Sequence, residues 1–252
     1  MKDELAKLAL AIQFLTRLPV PDWFTYTPER MAASVRYYPL TGLLIGSLCA
    51  SIYWSATLAF PAIVAVLLAL VFGAILTGAF HEDGLADTFD GIGGGLTREA
   101  SLTIMKDSRV GTYGVLGLAA IFALKLAALV SLPVVIACLA FPVAHGLSRL
   151  SAVLVIATSR YVRDEGTGKP VASGVSVTSL VVAGMSGGAL IALWLLFQPA
   201  FALLYALAGL ALGHALMRLF FERKLGGYTG DTLGAVQQVS ETGFYLGLLA
   251  WL

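Results

Sequence analysis

The chain has 252 residues, 58% of them hydrophobic and 12% charged, with a net charge of +1 and a mean hydropathy of +0.87. An ordinary soluble domain has about 25% charged residues, so a watery environment is excluded for most of this chain, and no long polar block leaves room for a separate soluble domain. The small net charge excludes the basic excess of a nucleic-acid binder, so no nucleic-acid partner is expected.

The N-terminal stretch does not read as a secretory signal, because Asp3, Glu4, Lys7 and Gln13 interrupt any apolar core. Leu5, Leu8, Ile12 and Leu15 recur at helical spacing opposite the charges. That pattern suits a helix in an N-terminal arm over 1–35, either lying in the membrane interface or packing on the protein's own bundle. Pro19 and Pro21 should stop it.

Spanning a bilayer takes roughly 20 apolar residues as helix. Spans are expected at about 37–58, 62–80, 114–132, 134–157, 178–198, 201–221 and 234–252. The fold class is therefore all-α, a polytopic membrane bundle of about seven transmembrane helices forming one integral membrane unit over 1–252. Cys49 and Cys138 fall inside apolar runs without metal-ligand spacing and read as small buried hydrophobes.

Three connections are tiny and carry no Lys or Arg: those around Phe60-Pro61, Pro133 and Gln198-Pro199-Ala200. The remaining connections carry Arg30, Arg98, Lys106, Arg109, Arg160, Arg163, Lys169, Arg223 and Lys224, and alternation places them all on one side. The positive-inside rule makes that side the cytoplasm. Four charged residues, Lys125, Arg149, Arg218 and Glu241, remain within or near the hydrocarbon; Lys125 and Glu241 either pair or snorkel.

The segment 81–113 opens with His81-Glu82-Asp83-Gly84-Leu85-Ala86-Asp87-Thr88-Phe89-Asp90-Gly91. On a helix Asp83, Asp87 and Asp90 stand at i, i+4 and i+7 on one face. Three stacked carboxylates repel one another unless a cation sits among them. Oxygen-only ligands favour a hard cation, and Mg²⁺ in particular takes one or two carboxylates plus phosphate oxygens, which points to a diphosphate substrate. Glu82 points off that face and is a ligand candidate only. His81 is either a hydrogen-bonding partner at the interface or part of the site.

After the flexible Gly93-Gly94-Gly95 turn, a short helix is expected from Thr97, as N-cap, to about Met105. Lys106 and Arg109 then carry charge suited to phosphate oxygens, Arg109 in bidentate fashion. Arg36, Arg149, the run Arg163-Asp164-Glu165-Gly166, and Gly226-Gly227-Tyr228-Thr229-Gly230-Asp231 converge on the same side, with Asp231 as a further carboxylate.

With these motifs in hand, the chain resembles the cobalamin synthase family. The resemblance runs through Phe14-Leu15-Thr16-Arg17-Leu18-Pro19-Val20-Pro21, Tyr38-Pro39-Leu40-Thr41-Gly42, His81 to Gly91, Met105 to Gly114, and Gly226 to Ala235. It implies a Mg²⁺-dependent enzyme of the bacterial or archaeal cytoplasmic membrane. The implied reaction joins adenosylcobinamide-GDP to α-ribazole or its 5′-phosphate, and GMP leaves. In that reading Asp83, Asp87 and Asp90 hold the metal, while Lys106 and Arg109 steady the phosphates. Arg36, Arg149 and His81 are further substrate-binding candidates, and either Asp107 or Asp231 is the base.

Asp87-x-x-Asp90-Gly91 also looks like part of the CDP-alcohol phosphotransferase motif, but that motif continues through two residues to Ala-Arg, whereas here Ile92-Gly93-Gly94-Gly95 follows. A transporter would place its acids near mid-membrane and show inverted repeats; the acids here gather at one boundary. Small-residue faces at Gly184, Gly187 and Gly188 and at Gly209 and Gly213 suit either self-association or packing within one chain.

Overall fold

The computed structural model describes residues 2–21, 25–163, 169–172 and 175–252. Asp164, Glu165 and Gly166, grouped above with the polar loops, lie outside the described residues. Among those described the chain is all-α, with α1 (Lys2–Leu15), α2 (Pro28–Ser34), α3 (Tyr38–Thr57), α4 (Ala62–Thr77), α5 (Phe80–Gly94), α6 (Arg98–Ile104), α7 (Thr112–Ser131), α8 (Val134–Thr158), α9 (Val177–Leu195), α10 (Ala200–Leu225) and α11 (Gly230–Trp251).

The expectation of seven spans needs correction. Five helical stretches are long and apolar enough to cross a membrane, and the count reaches six only if α4 and α5, bent by 89°, form one broken span. At 16 residues α4 is short, about 24 Å at 1.5 Å per residue. The 22-residue α11 has the length but not the apolarity. Its Gln237, Gln238 and Glu241 face inward and are buried, so a helix wrapped by its neighbours need not be apolar to sit inside the bundle. Elsewhere the lipid solvates the outer faces: Val115 and Leu116 of α7, Met185 of α9, and Leu204, Leu212 and Leu216 of α10 are exposed apolar side chains.

Glycine sets how closely the helices approach. At Gly46 of α3 an added Cβ would stand 2.6 Å from Pro142 Cα of α8, and at Gly213 of α10 it would stand 2.6 Å from the Val239 carbonyl oxygen of α11. Gly209 faces Gly243 in the same seam, so the Gly209 and Gly213 face serves packing within the chain. Gly187 meets Leu150 at 2.6 Å, whereas Gly184 and Gly188 face open space.

The N-terminal helix packs on the protein's own bundle, one of the two settings its pattern suits. Ala6, Ala9, Leu10, Ala11 and Leu15 bury against the bundle, while Leu5, Leu8 and Ile12 line an open apolar groove with Leu18 and Pro19. The helix ends at Leu15, before the prolines, where the Thr16 hydroxyl donates to the Ile12 carbonyl at 2.7 Å.

Lys125 and Glu241 pair inside the bundle. Lys125 Nζ of α7 donates to Glu241 Oε1 of α11 at 2.7 Å and to Gln238 Oε1 at 2.6 Å, and Gln237 Nε2 donates to Glu241 Oε2 at 2.6 Å. Gln238 Nε2 continues the chain to Glu82 Oε1 of α5 at 2.9 Å. Arg218 lies nearer the end of α10, bonded to Glu222 and Thr158. Removing one partner of a buried pair leaves an uncompensated charge, so Lys125→Met should cost about 3–5 kcal/mol. The Lys125→Met/Glu241→Gln double variant should regain much of that loss. Thermal unfolding in detergent checks this, and a double-variant loss equal to the sum of the two single losses would show that the two charges are uncoupled.

Candidate active site

Between α4 and α5 the backbone turns through two left-handed residues, Gly78 at φ +65° and Ala79 at φ +56°. The sharp turn redirects α5, bent by 89° from α4, so that it lies across the first turns of α7 and α11. At the α5–α11 crossing, Gly84 and Gly234 let the backbones meet: a Cβ on Gly84 would stand 2.7 Å from the Asp231 carbonyl oxygen, and one on Gly234 would stand 3.0 Å from that of His81. This contact brings Asp231 beside the aspartate face of α5.

The three aspartates of α5 share a face but not an environment: Asp83 is exposed, Asp87 half-buried and Asp90 buried. Both Asp90 oxygens accept backbone N–H groups at the start of α7, from Gly111 at 2.7 Å and Gly114 at 2.8 Å. Either glycine, given a Cβ, would collide with that carboxylate. Asp90 therefore docks the N-terminus of α7, a placement favoured by the helix dipole.

Asp87 faces the remaining acids. Burial, then the charges of Asp231 and Asp83, push its carboxyl up to about 7. Asp231 is also raised by burial, against the pull of Arg163, whose Nη1 stands 2.8 Å from Asp231 Oδ2. Arg163 itself is positioned by an isolated parallel bridge. The Tyr228 N–H donates to the Arg160 carbonyl at 2.8 Å, and the Val162 N–H donates to the Tyr228 carbonyl at 3.0 Å. A capping box between Thr229 and Thr232 then starts α11 with Asp231 in its first turn. The glycine-rich turn is thus structural, and its product is the placement of Asp231.

The other expected site residues are distributed differently. Arg109 is exposed and forks onto Asp107 of its own loop, with Nη2 to Oδ2 at 2.6 Å and Nε to Oδ1 at 3.0 Å. That pairing holds the Asp107 carboxyl down at about 2. Lys106 is exposed on the same loop, after α6, whose N-cap is Thr97 as expected. Arg36 is tied to Ser179 at 3.0 Å and to Glu4 at 3.2 Å, away from the aspartates. His81 and Arg149 are buried and line one inner cavity with Tyr38, Gly230, Gly234 and Gln237, beneath the aspartate face. Arg163 is the residue that reading the sequence did not assign to the site. Its only signal was a cationic side chain in a polar loop.

Could the site hold a metal? Among the described residues no three His, Cys, Asp or Glu side chains converge closely enough to ligate one ion by themselves. Mg²⁺ commonly takes only one or two carboxylates, with phosphate and water completing six oxygens. Exposed Asp83 and half-buried Asp87 supply that number, and a carboxyl pushed up to about 7 marks a place short of positive charge. The donor set therefore fits Mg²⁺ bound jointly with a phosphate.

A bundle of apolar spans with an all-oxygen acidic site at one end defines a membrane-embedded transferase of the phosphate-handling class. The chain belongs to the cobalamin-5-phosphate synthase family, which it matches over residues 7–249. It is 46% identical to a protein of Shewanella frigidimarina over 96% of this chain and 93% of that one. It is likewise 46% identical to one of Leptothrix cholodnii over 96% and 94%, and 44% identical to one of Shewanella putrefaciens over 98% and 94%. All three are named adenosylcobinamide-GDP ribazoletransferase. No solved structure matches the chain.

A raised carboxyl destabilises the folded state as pH rises, because between its ordinary 3.8 and about 7 the folded protein keeps a proton that the unfolded chain releases. In chelator, thermal stability should therefore fall across that window, and Asp87→Asn should flatten the fall. Mg²⁺ should restore stability in the unsubstituted protein. An identical pH slope in Asp87→Asn would remove Asp87 as its source.

Proposed function

We propose that the chain transfers the adenosylcobinamide phosphate group of adenosylcobinamide-GDP to α-ribazole or its 5′-phosphate, with release of GMP, in a Mg²⁺-dependent reaction at the cytoplasmic face of the inner membrane. The observation that carries this reading is the convergence of Asp83, Asp87 and Asp231 at the α5–α11 crossing, with Asp87 raised to about 7 by burial and by the neighbouring acids. Such a site favours a cation that a diphosphate can share. The family and the names of the relatives supply the substrate.

The chemistry needs one bond made and one broken. The 5′ oxygen of the acceptor attacks the cobinamide-side phosphorus, and the bond from that phosphorus to the bridging oxygen breaks, so GMP departs with the electron pair. Mg²⁺, when bound, neutralises charge on the diphosphate oxygens and on the leaving phosphate. Asp83 and Asp87 would hold it. Asp90, with both oxygens on backbone N–H groups, reaches the ion only through its remaining lone pairs and serves first to fix α7 against α5. For a hydroxyl acceptor, Asp231 is the better proton acceptor, because burial raises its carboxyl while Arg109 holds Asp107 at about 2. A phosphate acceptor has no such need. Arg163 keeps Asp231 oriented toward α5.

Lys106 and Arg109, on an exposed loop at the same end of the bundle, are suited to guide an anionic substrate in. That end also joins α6 to α10, where Arg98 Nε donates to the Leu225 carbonyl at 2.7 Å, and its basic residues give the cytoplasmic orientation.

Purified protein in detergent or nanodiscs should release GMP from adenosylcobinamide-GDP only when an acceptor and Mg²⁺ are present. Asp83→Asn and Asp87→Asn should each lower turnover by about 100-fold or more, the scale of removing one electrostatic stabiliser. Asp107→Asn should cost less than about tenfold, since an exposed pair contributes little. Release of GMP at near-normal rates by Asp83→Asn would overturn the metal assignment.

A further inference from the structure

We infer that Arg17 is a substrate-binding residue whose guanidinium takes oxygens of the same diphosphate that Asp83 holds through the metal, in a groove between the end of α1 and the α4–α5 turn. The inference rests on the reaction proposed above and deepens it, because it locates the groove by which the diphosphate reaches the aspartates.

Arg17 is held from both sides by its backbone. Its N–H donates to the Leu76 carbonyl at the end of α4 at 2.7 Å. The preceding Thr16 hydroxyl bonds back to Ile12 and accepts the Leu18 N–H at 3.2 Å. This staple ties the N-terminal arm to the turn that starts α5. The side chain then folds over that turn. A Cβ on Gly78 would collide with Arg17 Nε and stand 3.0 Å from both the guanidinium carbon and Nη2. Gly78 is thus required twice, for its φ of +65° and for the space the guanidinium occupies.

An arginine serving only as a membrane anchor would extend toward lipid headgroups. Arg17 instead lies back on the turn and lines a groove of about 440 Å³ with Gln13, Thr16, Thr77, Gly78 and Asp83. Asp83 is the exposed aspartate of α5, the one most open to an incoming ligand. Arg17 and Asp83 share the groove without forming an ion pair; among the described residues no hydrogen bond or ion pair engages the guanidinium. A cation on the carboxylate and a bidentate fork nearby are the two groups a diphosphate needs, since metal and guanidinium take different non-bridging oxygens. Gln13 and Thr16 add neutral polar groups along the wall.

The test uses the full chain in detergent, with GDP plus Mg²⁺ as the calorimetric binding probe and GMP release as the kinetic readout. Arg17→Ala should weaken GDP binding and raise KM for adenosylcobinamide-GDP by about 10- to 100-fold, the range for a hydrogen bond to a charged group. KM for the acceptor and the thermal unfolding midpoint should stay unchanged. Arg17→Lys, which keeps the charge but loses the fork, should fall between Arg17→Ala and the unsubstituted protein. If Arg17→Ala fails to fold, Arg17→Lys decides. Unchanged GDP affinity and unchanged KM in a folded Arg17 variant would overturn the assignment while leaving the reaction intact. Failure of the unsubstituted protein to release GMP would instead overturn the reaction itself.

Discussion

The approach of α5 to α11 at Gly84 and Gly234 is the constraint on which the site depends. Neither helix carries a complete set of groups: α5 offers a face of three aspartates, and α11 offers one aspartate in its first turn. Bringing them together buries Asp87 and sets it beside Asp231 and Asp83, and burial first, then those charges, push its carboxyl up to about 7. A Cβ at Gly84 would meet the Asp231 backbone and push the helices apart, which would relieve that repulsion and dissolve the site. The backbone contact therefore maintains an arrangement that the side chains alone would oppose.

What holds α5 in that rotation lies deeper in the bundle. Glu82, next to Asp83 in sequence, points the other way and joins Gln238, Lys125 and Glu241 in one buried hydrogen-bonded chain. At the opposite end of the helix, Asp90 clasps the N-terminus of α7. With both ends fixed, α5 can neither rotate nor slide, and Asp83 is left facing the groove with Asp87 one turn further along the same face. Polar groups inside a membrane bundle are costly unless satisfied; here their satisfaction orients the helix that carries the aspartate face.

The periodicities were legible in the residues, and the long-range partnerships were not. Asp83, Asp87 and Asp90 at i, i+4 and i+7 disclosed a common face. Thr97 disclosed a cap, and Lys125 with Glu241 disclosed charges that had either to pair or to snorkel, because each depends on local spacing or on the cost of an isolated charge. The division of labour among the aspartates was hidden, since it depends on Gly111 and Gly114 lying more than twenty residues away from Asp90. Arg163 was hidden for a similar reason: a two-residue bridge to Tyr228 positions it, and no periodic signal marks such a bridge. The count of spans failed where the rule of apolar length fails, at a 16-residue α4 that ends in a left-handed turn and at an α11 buried by its neighbours.

The gradient of burial along α5 gives the last step. From Asp83 through Asp87 to Asp90 the carboxylates pass from exposed to half-buried to buried, and each depth suits a different task. An exposed carboxylate can exchange water for a metal and admit a bulky substrate. A half-buried one gains affinity for a cation because it is poorly solvated without one. A buried one must already be hydrogen-bonded within the protein, as Asp90 is. One face of one helix, laid obliquely across the end of a membrane bundle, thereby passes from an open carboxylate to a structural anchor using a single residue type.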